Sequence, residues 1–432
     1  MTGRDRWTEA QTWDWYREQD WLVGCNYLPS TAVNPTEMWQ ADTFDPETID
    51  RELGWAADWG MNTVRVFLQY LVWKDDPEGL RERMERFLSI ADRHGMTAMP
   101  VFFDDVKFSG DEPYLGPQAD PLPNTHNSQW TPSPGHDRVV DRSTWPDLAD
   151  YVRDVVSWFR DDERVCVWDT YNEPGNSDMD QASNPLLAES FTWAREANPS
   201  QPITAGVNWD PNRTDQNNIG SREADIVSFH DYSELAFTKE RLDDLEDWGR
   251  PLLCTEWLAR SRDNYVKTHL PVFKERGIGC YTWGFVNGKL QTHLPWSTAQ
   301  TSIAEAVEDE TTDVWFHDLV HDDGTPTVST NSNCSRSTSF RTSRHENRVP
   351  TDEVVHFERF WWTVRMQTDR RIGYNRRREN GTHLFGRTDR THCVSTDMCE
   401  YVDGRESPTH QLTSLSHQIV TNFEFSNIYE SF

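Results

Sequence analysis

Eight short apolar runs, separated by longer amphipathic segments, follow one another between residues 22 and 285, and this alternation restricts the fold more than any other feature. A run that is apolar at nearly every position reads as a strand buried on both faces, the mark of a parallel sheet, and the intervening segments supply crossover helices. Strands are expected at 22–27, 63–68, 97–103, 165–168, 203–207, 226–230, 252–256 and 279–285. Helices are expected at 46–59, 79–94, 145–159, 186–197, 212–223, 239–248, 265–275 and 298–307. Asp45 is placed to cap the first of these, with Pro46 in the first turn, where a missing amide hydrogen is harmless. The order predicts an α/β chain whose residues 1–324 form a (β/α)8 barrel, the TIM-barrel architecture.

Beyond Gly324 the pattern stops. Residues 325–343 contain 11 Ser or Thr, too little apolar material to fold alone. An aromatic patch at 354–364 is followed by Arg-rich polar sequence. Charge changes at the same place: residues 1–324 carry 59 acids against 28 bases, whereas 325–432 carry 13 against 14, and all six lysines lie in the first part. The segment 325–432 therefore reads as a dispensable, poorly structured tail, its loss of acidic bias resembling a translated wrong reading frame. A small accessory domain is the alternative.

The formal charge of −30 excludes nucleic acid and anionic membranes as expected partners. Residues 1–10 are polar and charged, without the apolar core of a secretion signal, and no run reaches the length of a membrane span, so a cytoplasmic location is expected. Seven cysteines are an odd number, and Cys25, Cys166, Cys254 and Cys280 sit inside apolar runs, where free thiols act as small core residues. No spacing suggests a zinc site, Cys393 and Cys399 included, so neither metal nor cofactor is expected. Nothing in the sequence sets an oligomeric state.

The chemistry is carried by Tyr171-Asn172-Glu173-Pro174, which follows the apolar run Val165-Cys166-Val167-Trp168. Pro251-Leu252-Leu253-Cys254-Thr255 delivers Glu256 in the same way, 83 residues later. In a barrel, side chains at the C-terminal ends of the strands converge on one face. Arg65, Asn172, Glu173, His230, Tyr232, Glu256 and Trp283 all fall at such ends. Two acids so placed can cut a glycosidic bond as a paired acid/base and nucleophile. The loop 104–142, with six prolines, Tyr114 and Trp130, is long enough to form a cleft wall. Asp104, Asp105, Asn208, Lys289 and Gln291 are candidates for sugar hydroxyl contacts. Trp283 leads the candidates for a stacking platform, ahead of Trp209, Trp130, Trp296 and Tyr27.

The set resembles clan A of the glycoside hydrolases, and most of all family 5, the cellulase and mannanase family. Arg65, Asn172-Glu173-Pro174, His230-Asp231-Tyr232, Glu256 and Trp283 match its pattern in order across residues 20–300. The strand-three histidine usual in that family has no counterpart in Val101-Phe102-Phe103-Asp104-Asp105. The resemblance implies that Glu173 is the general acid/base and Glu256 the nucleophile of a retaining hydrolase acting on β-linked glucan, mannan, xylan or their oligosaccharides. Arg65 and the Tyr232 hydroxyl are placed to keep Glu256 ionised, Asn172 to bond the sugar 2-hydroxyl, and His230 to orient the acid. A non-catalytic sugar-binding barrel is the rival of another class, but a binder has no use for both carboxylates. A transglycosylase would use the same two acids. A metal-dependent hydrolase would need clustered histidine ligands that the strand ends lack.

An acid-coated, lysine-poor chain repels itself unless salt shortens the reach of its charges, to about 3 Å at 1 M. A halophilic protein of a salt-rich cytoplasm is therefore expected. Its activity and melting temperature should rise with potassium chloride well beyond 0.1 M; best performance near 0.1 M would refute this reading.

Overall fold

The computed structural model describes residues 3–207, 214–299 and 314–327. Eight parallel strands close on themselves in sequence order: β1 Val23–Asn26, β2 Thr63–Phe67, β3 Thr97–Asp104, β4 Trp168–Asn172, β5 Ile203–Val207, β6 Val227–His230, β7 Leu252–Trp257 and β8 Gly279–Thr282. β8 returns to pair with β1, so no edge is left open. The chain is thus the expected (β/α)8 barrel.

The crossover helices form where caps and spacing demand them. Asp45 accepts a hydrogen bond from the Thr48 amide at 3.0 Å and starts the helix Pro46–Asp58. In Pro77–Arg93 the buried Leu80, Met84, Phe87, Leu88 and Ala91 recur every three to four residues, the stripe that packs on the barrel. Trp145–Phe159 occupies the residues predicted for it, burying Leu148, Val152, Val155, Val156 and Phe159.

Two strands depart from the sequence reading. The apolar run at 165–168 makes only an isolated bridge, Ala98 to Val165, and β4 begins where that run ends. Its polar residues Asp169, Thr170 and Asn172 are buried because partners inside the barrel satisfy them. β8 stops at Thr282, three residues early, and Gly284 then takes φ 75°, which no extended strand allows. The expected helix 298–307 lies, from residue 300, outside the described residues; Trp296–Thr298 is a single 3-10 turn. Sequence reasoning missed the helix Glu9–Glu18, although Thr8 and Gln11 form a capping box. That helix covers the N-terminal end of the barrel, where Trp13 Nε1 donates to Gly249 O and Tyr16 Oη to Gly277 O, both at 2.8 Å. The opposite end is left for a site.

Cys25, Cys166, Cys254 and Cys280 are buried free thiols, as their apolar settings suggested. Among the described residues no helix is long and apolar enough to cross a membrane. Phe316, Leu319 and Val320 are buried, and Val320 bridges to Val286 just beyond β8. Hydrogen bonds from His321 N to Thr325 O (2.8 Å) and Thr327 N to Leu319 O (3.0 Å) carry this ordered segment three residues past the expected boundary at 324. The rest of the expected tail lies outside the described residues. Truncation after Thr327 should therefore preserve cooperative unfolding, the melting temperature and activity; loss of folding would make the remainder an integral domain.

Candidate active site

Arg65 of β2 is fully buried at the C-terminal end of the barrel. Burying a guanidinium is tolerable only with a full set of acceptors. Its Nε donates to Asp169 Oδ2 at 2.9 Å and its Nη2 to Asn172 Oδ1 at 2.7 Å. Its Nη1 donates to Asn26 Oδ1 at 2.8 Å and to Glu256 Oε1 at 2.9 Å. One cation thus ties together side chains of β1, β4 and β7. Gly206 of β5 makes room for it: a Cβ there would lie 2.7 Å from Arg65 Nη2 and 3.0 Å from His230 Nε2.

The acids are aimed by local irregularities. Pairing registers shift near the ends of β4, β6 and β7, the strands that deliver Glu173, His230 and Glu256. Such bulges re-aim side chains beside functional sites. Glu173 itself takes φ 44°, a left-handed conformation costly for a residue with a Cβ, about 1–3 kcal/mol. It is held there by its amide on Gly206 O (2.7 Å) and its carbonyl on the Asn176 amide (3.0 Å). Beneath this turn, buried Asp105 accepts from the Gly175 amide and the Tyr171 hydroxyl, both at 2.7 Å.

The two carboxylates meet around one imidazole. His230 Nδ1 lies 2.7 Å from Glu173 Oε1 and 3.3 Å from Glu256 Oε2. Asn176 Nδ2 donates to Glu173 Oε2 at 2.5 Å, and the Tyr232 hydroxyl donates to Glu256 Oε2 at 2.7 Å. Atoms of Glu173, His230 and Glu256 fall within 4.8 Å of one another. Burial pushes the Glu256 carboxyl above its ordinary value and the charge of Glu173 adds to this, while His230, Arg65 and Tyr232 pull the other way. Burial and Glu256 push the Tyr232 hydroxyl well above its ordinary value, so it remains a donor. The same three atoms could hold a divalent cation, but the guanidinium bonded to Glu256 opposes a second positive charge.

A cavity of about 320 Å³ opens over these groups, bordered also by Asn172, Trp130, Trp283 and Trp296. Trp283 sits edge-on to Phe67 (ring centroids 5.8 Å apart) and to Trp130 (5.6 Å), and Trp296 edge-on to Tyr232 (4.9 Å). The loop after β3 forms one wall through Val106, Phe108, His126 and Trp130.

Other candidates lie elsewhere. Asp104 does not border the cavity: it accepts from Asn172 Nδ2, Val106 N and Trp130 Nε1 behind it. Lys289 pairs with Glu37 at 2.8 Å, and Gln291 bonds the backbone of Leu122 and Asn124 in the long loop. The Tyr27 hydroxyl donates to buried Glu52 at 3.0 Å. Asn208 and Trp209 lie outside the described residues.

Sequence reasoning missed Asn26, Asp169, Asn176 and His126. Asn26 ends β1 and could have been found by the rule that found the others. Asn176 and His126 sit in loops, where no periodicity points to them. His126 Nδ1 bonds Leu294 O at 2.7 Å, and burial lowers its pKa to about 4, so the ring stays neutral.

The sequence profile of the cellulase family, glycosyl hydrolase family 5, matches residues 30–289. No curated protein matches the chain by sequence. Among solved structures, a family 5 glycoside hydrolase variant of Streptomyces cattleya in complex with Manβ1-4GlcNAc is similar with TM-score 0.50 and 13% identity, covering 71% of this chain and 77% of that one. An exo-β-1,4-mannosidase of Opitutaceae bacterium strain TAV5 follows with TM-score 0.48 and 19% identity over 71% and 57% of the two chains. A family 5 mannosidase of Rhizomucor miehei gives 0.46 and 13% over 70% and 89%. At these identities the likeness concerns the fold.

Replacing Arg65 by Met should cost about 3–5 kcal/mol in urea unfolding, because Asp169 and Glu256 lose their buried counter-charge. In any variant that folds, the Glu256 carboxyl should rise further, moving the acid limb of the pH–activity profile to higher pH; an unchanged limb would detach Arg65 from the ionisation of Glu256.

Proposed function

The chain belongs to glycosyl hydrolase family 5 and is a glycosidase, and we propose that it cleaves β-linked glycans or oligosaccharides of glucan, mannan or xylan type with retention of configuration. The observation that carries this reading is the approach of Glu173 and Glu256 to within 4.8 Å, oxygen to oxygen. Retaining enzymes hold their two carboxyl groups about 5–5.5 Å apart, whereas inverting enzymes leave about 6.5–9.5 Å for a water molecule.

Roles follow from the partners of each acid. Glu256 has an oxygen bonded to Arg65 and another to Tyr232, both permanent donors, so it is the group better suited to stay ionised and attack the anomeric carbon. We assign the proton exchange to Glu173. Asn176 fixes its Oε2 as an acceptor, and its Oε1 faces His230 Nδ1, which accepts or donates according to tautomer. Glu173 then protonates the leaving oxygen, and on the way back takes the proton of the water that releases the sugar from Glu256. Asn172, held by Arg65, borders the cavity where a 2-hydroxyl would lie. Trp283 and Trp130 offer ring surface for the apolar face of a pyranose.

Aryl β-glycosides and β-linked oligosaccharides of mannose, glucose and xylose, assayed at high salt, are the substrates to try. Glu173→Ala should lose roughly 10²–10⁴-fold in rate on poor leaving groups. Glu256→Ala should be inactive until azide is added. Azide should rescue both variants to glycosyl azides of opposite anomeric configuration, and NMR should find the wild-type product retained at first; an inverted first product would overturn the mechanism.

A further inference from the structure

Asp104 closes β3 with 3% of its surface exposed and does not touch the cavity, yet it grips two residues that do. Its Oδ1 accepts from the Val106 amide at 3.0 Å and from Asn172 Nδ2 at 2.8 Å, and its Oδ2 accepts from Trp130 Nε1 at 2.7 Å. The first bond orients the tip of the strand. The other two hold the polar and the aromatic sides of the sugar cavity.

The consequence for Asn172 is specific. A primary amide is nearly symmetric in shape, so packing alone does not decide which way its oxygen points. Here Arg65 Nη2 donates to Asn172 Oδ1 at 2.7 Å, and Asp104 takes one of the two Nδ2 hydrogens. Turning the amide over would set its NH2 against the guanidinium, a repulsion in a buried site, and would take that NH2 away from the Asp104 oxygen that accepts it. One Nδ2 hydrogen then remains, at a residue that borders the cavity beside Glu173. Arg65 fixes one end of the amide and Asp104 the other, and removing Asp104 would leave the Nδ2 side of Asn172 without its buried acceptor.

We propose that Asp104 is a positioning residue, which fixes the Asn172 amide so that its second Nδ2 hydrogen meets the 2-hydroxyl of the sugar at the cleavage point. This rests on the glycosidase reading above. A contact to the 2-hydroxyl strengthens in the oxocarbenium-like transition state. Misplacing its donor therefore lowers kcat while leaving KM largely unchanged.

The test uses 4-nitrophenyl β-D-mannopyranoside, 4-nitrophenyl β-D-glucopyranoside and the 2-deoxy analogue common to both sugars, with the full-length protein. Asp104→Ala should lower kcat on the faster hydroxylated substrate about 10- to 100-fold, the scale of loss from misplacing a reacting group. On the 2-deoxy substrate it should change kcat less than about threefold, because the hydroxyl that Asn172 would meet is missing. Asp104→Asn keeps one oxygen acceptor and should fall between wild type and Asp104→Ala. Trp130→Phe, which removes a donor from Asp104 but keeps a ring, should show the same selectivity on a smaller scale, and decides the matter alone if Asp104→Ala does not fold. Equal losses on hydroxylated and deoxy substrates, or no loss, would overturn the positioning role. Failure of the wild-type enzyme on all three substrates would instead overturn the glycosidase reading for these sugars, and this inference with it.

Discussion

The buried guanidinium of Arg65 is the constraint on which the site depends. A charge in that position must be neutralised and fully bonded, so the sequence has to bring acceptors to it from several strands, and it does so with Asn26, Asp169, Asn172 and Glu256. The cation does not cancel the acids around it. Asp169 and Glu256 alone outnumber it, and Glu173 lies close by. Burial disfavours the ionised form of Glu256, and the charge of Glu173 adds to this. Arg65 and Tyr232 each place a donor on Glu256, which favours its ionised form.

Most of the barrel was legible because parallel strands are buried on both faces and announce themselves as apolar runs. The exception shows why. β4 runs through Asp169, Thr170 and Asn172, and hydropathy placed the strand on the apolar residues before them, because a sequence cannot say that Arg65 and the Thr204 carbonyl wait inside to receive polar groups. The same limit governs the site. Glu173, His230 and Glu256 could be listed because they end strands, and the barrel brings strand ends together. Asp104 ends a strand too, but a one-dimensional pattern cannot tell whether its carboxyl enters the cavity or turns behind Asn172 and Trp130. Asn176 and His126 come from loops, whose paths depend on contacts such as Asn127 N to Leu290 O that no local rule anticipates.

Hydroxyl recognition and ring stacking need different side chains, which argues for polar and apolar halves of the cavity that are built separately. They share their supports instead. The Arg65 guanidinium lies 4.9 Å over the ring of Phe67, which stands edge-on to both Trp130 at 5.1 Å and Trp283 at 5.8 Å. The cation that holds Glu256 and Asn172 thus also sits against the base of the aromatic wall. From the other side Asp104 joins Asn172 to Trp130. The Asn172 amide, Glu256 and the two tryptophans are linked through one closed circuit of contacts, so a shift in the rings displaces the polar groups. For a sugar, whose ring face and hydroxyls are rigidly joined, recognition depends on the two sides keeping a fixed distance. A circuit anchored on a buried charge is a physical means of keeping it, because any loosening would expose Arg65 to a loss of acceptors that the barrel interior cannot replace with water.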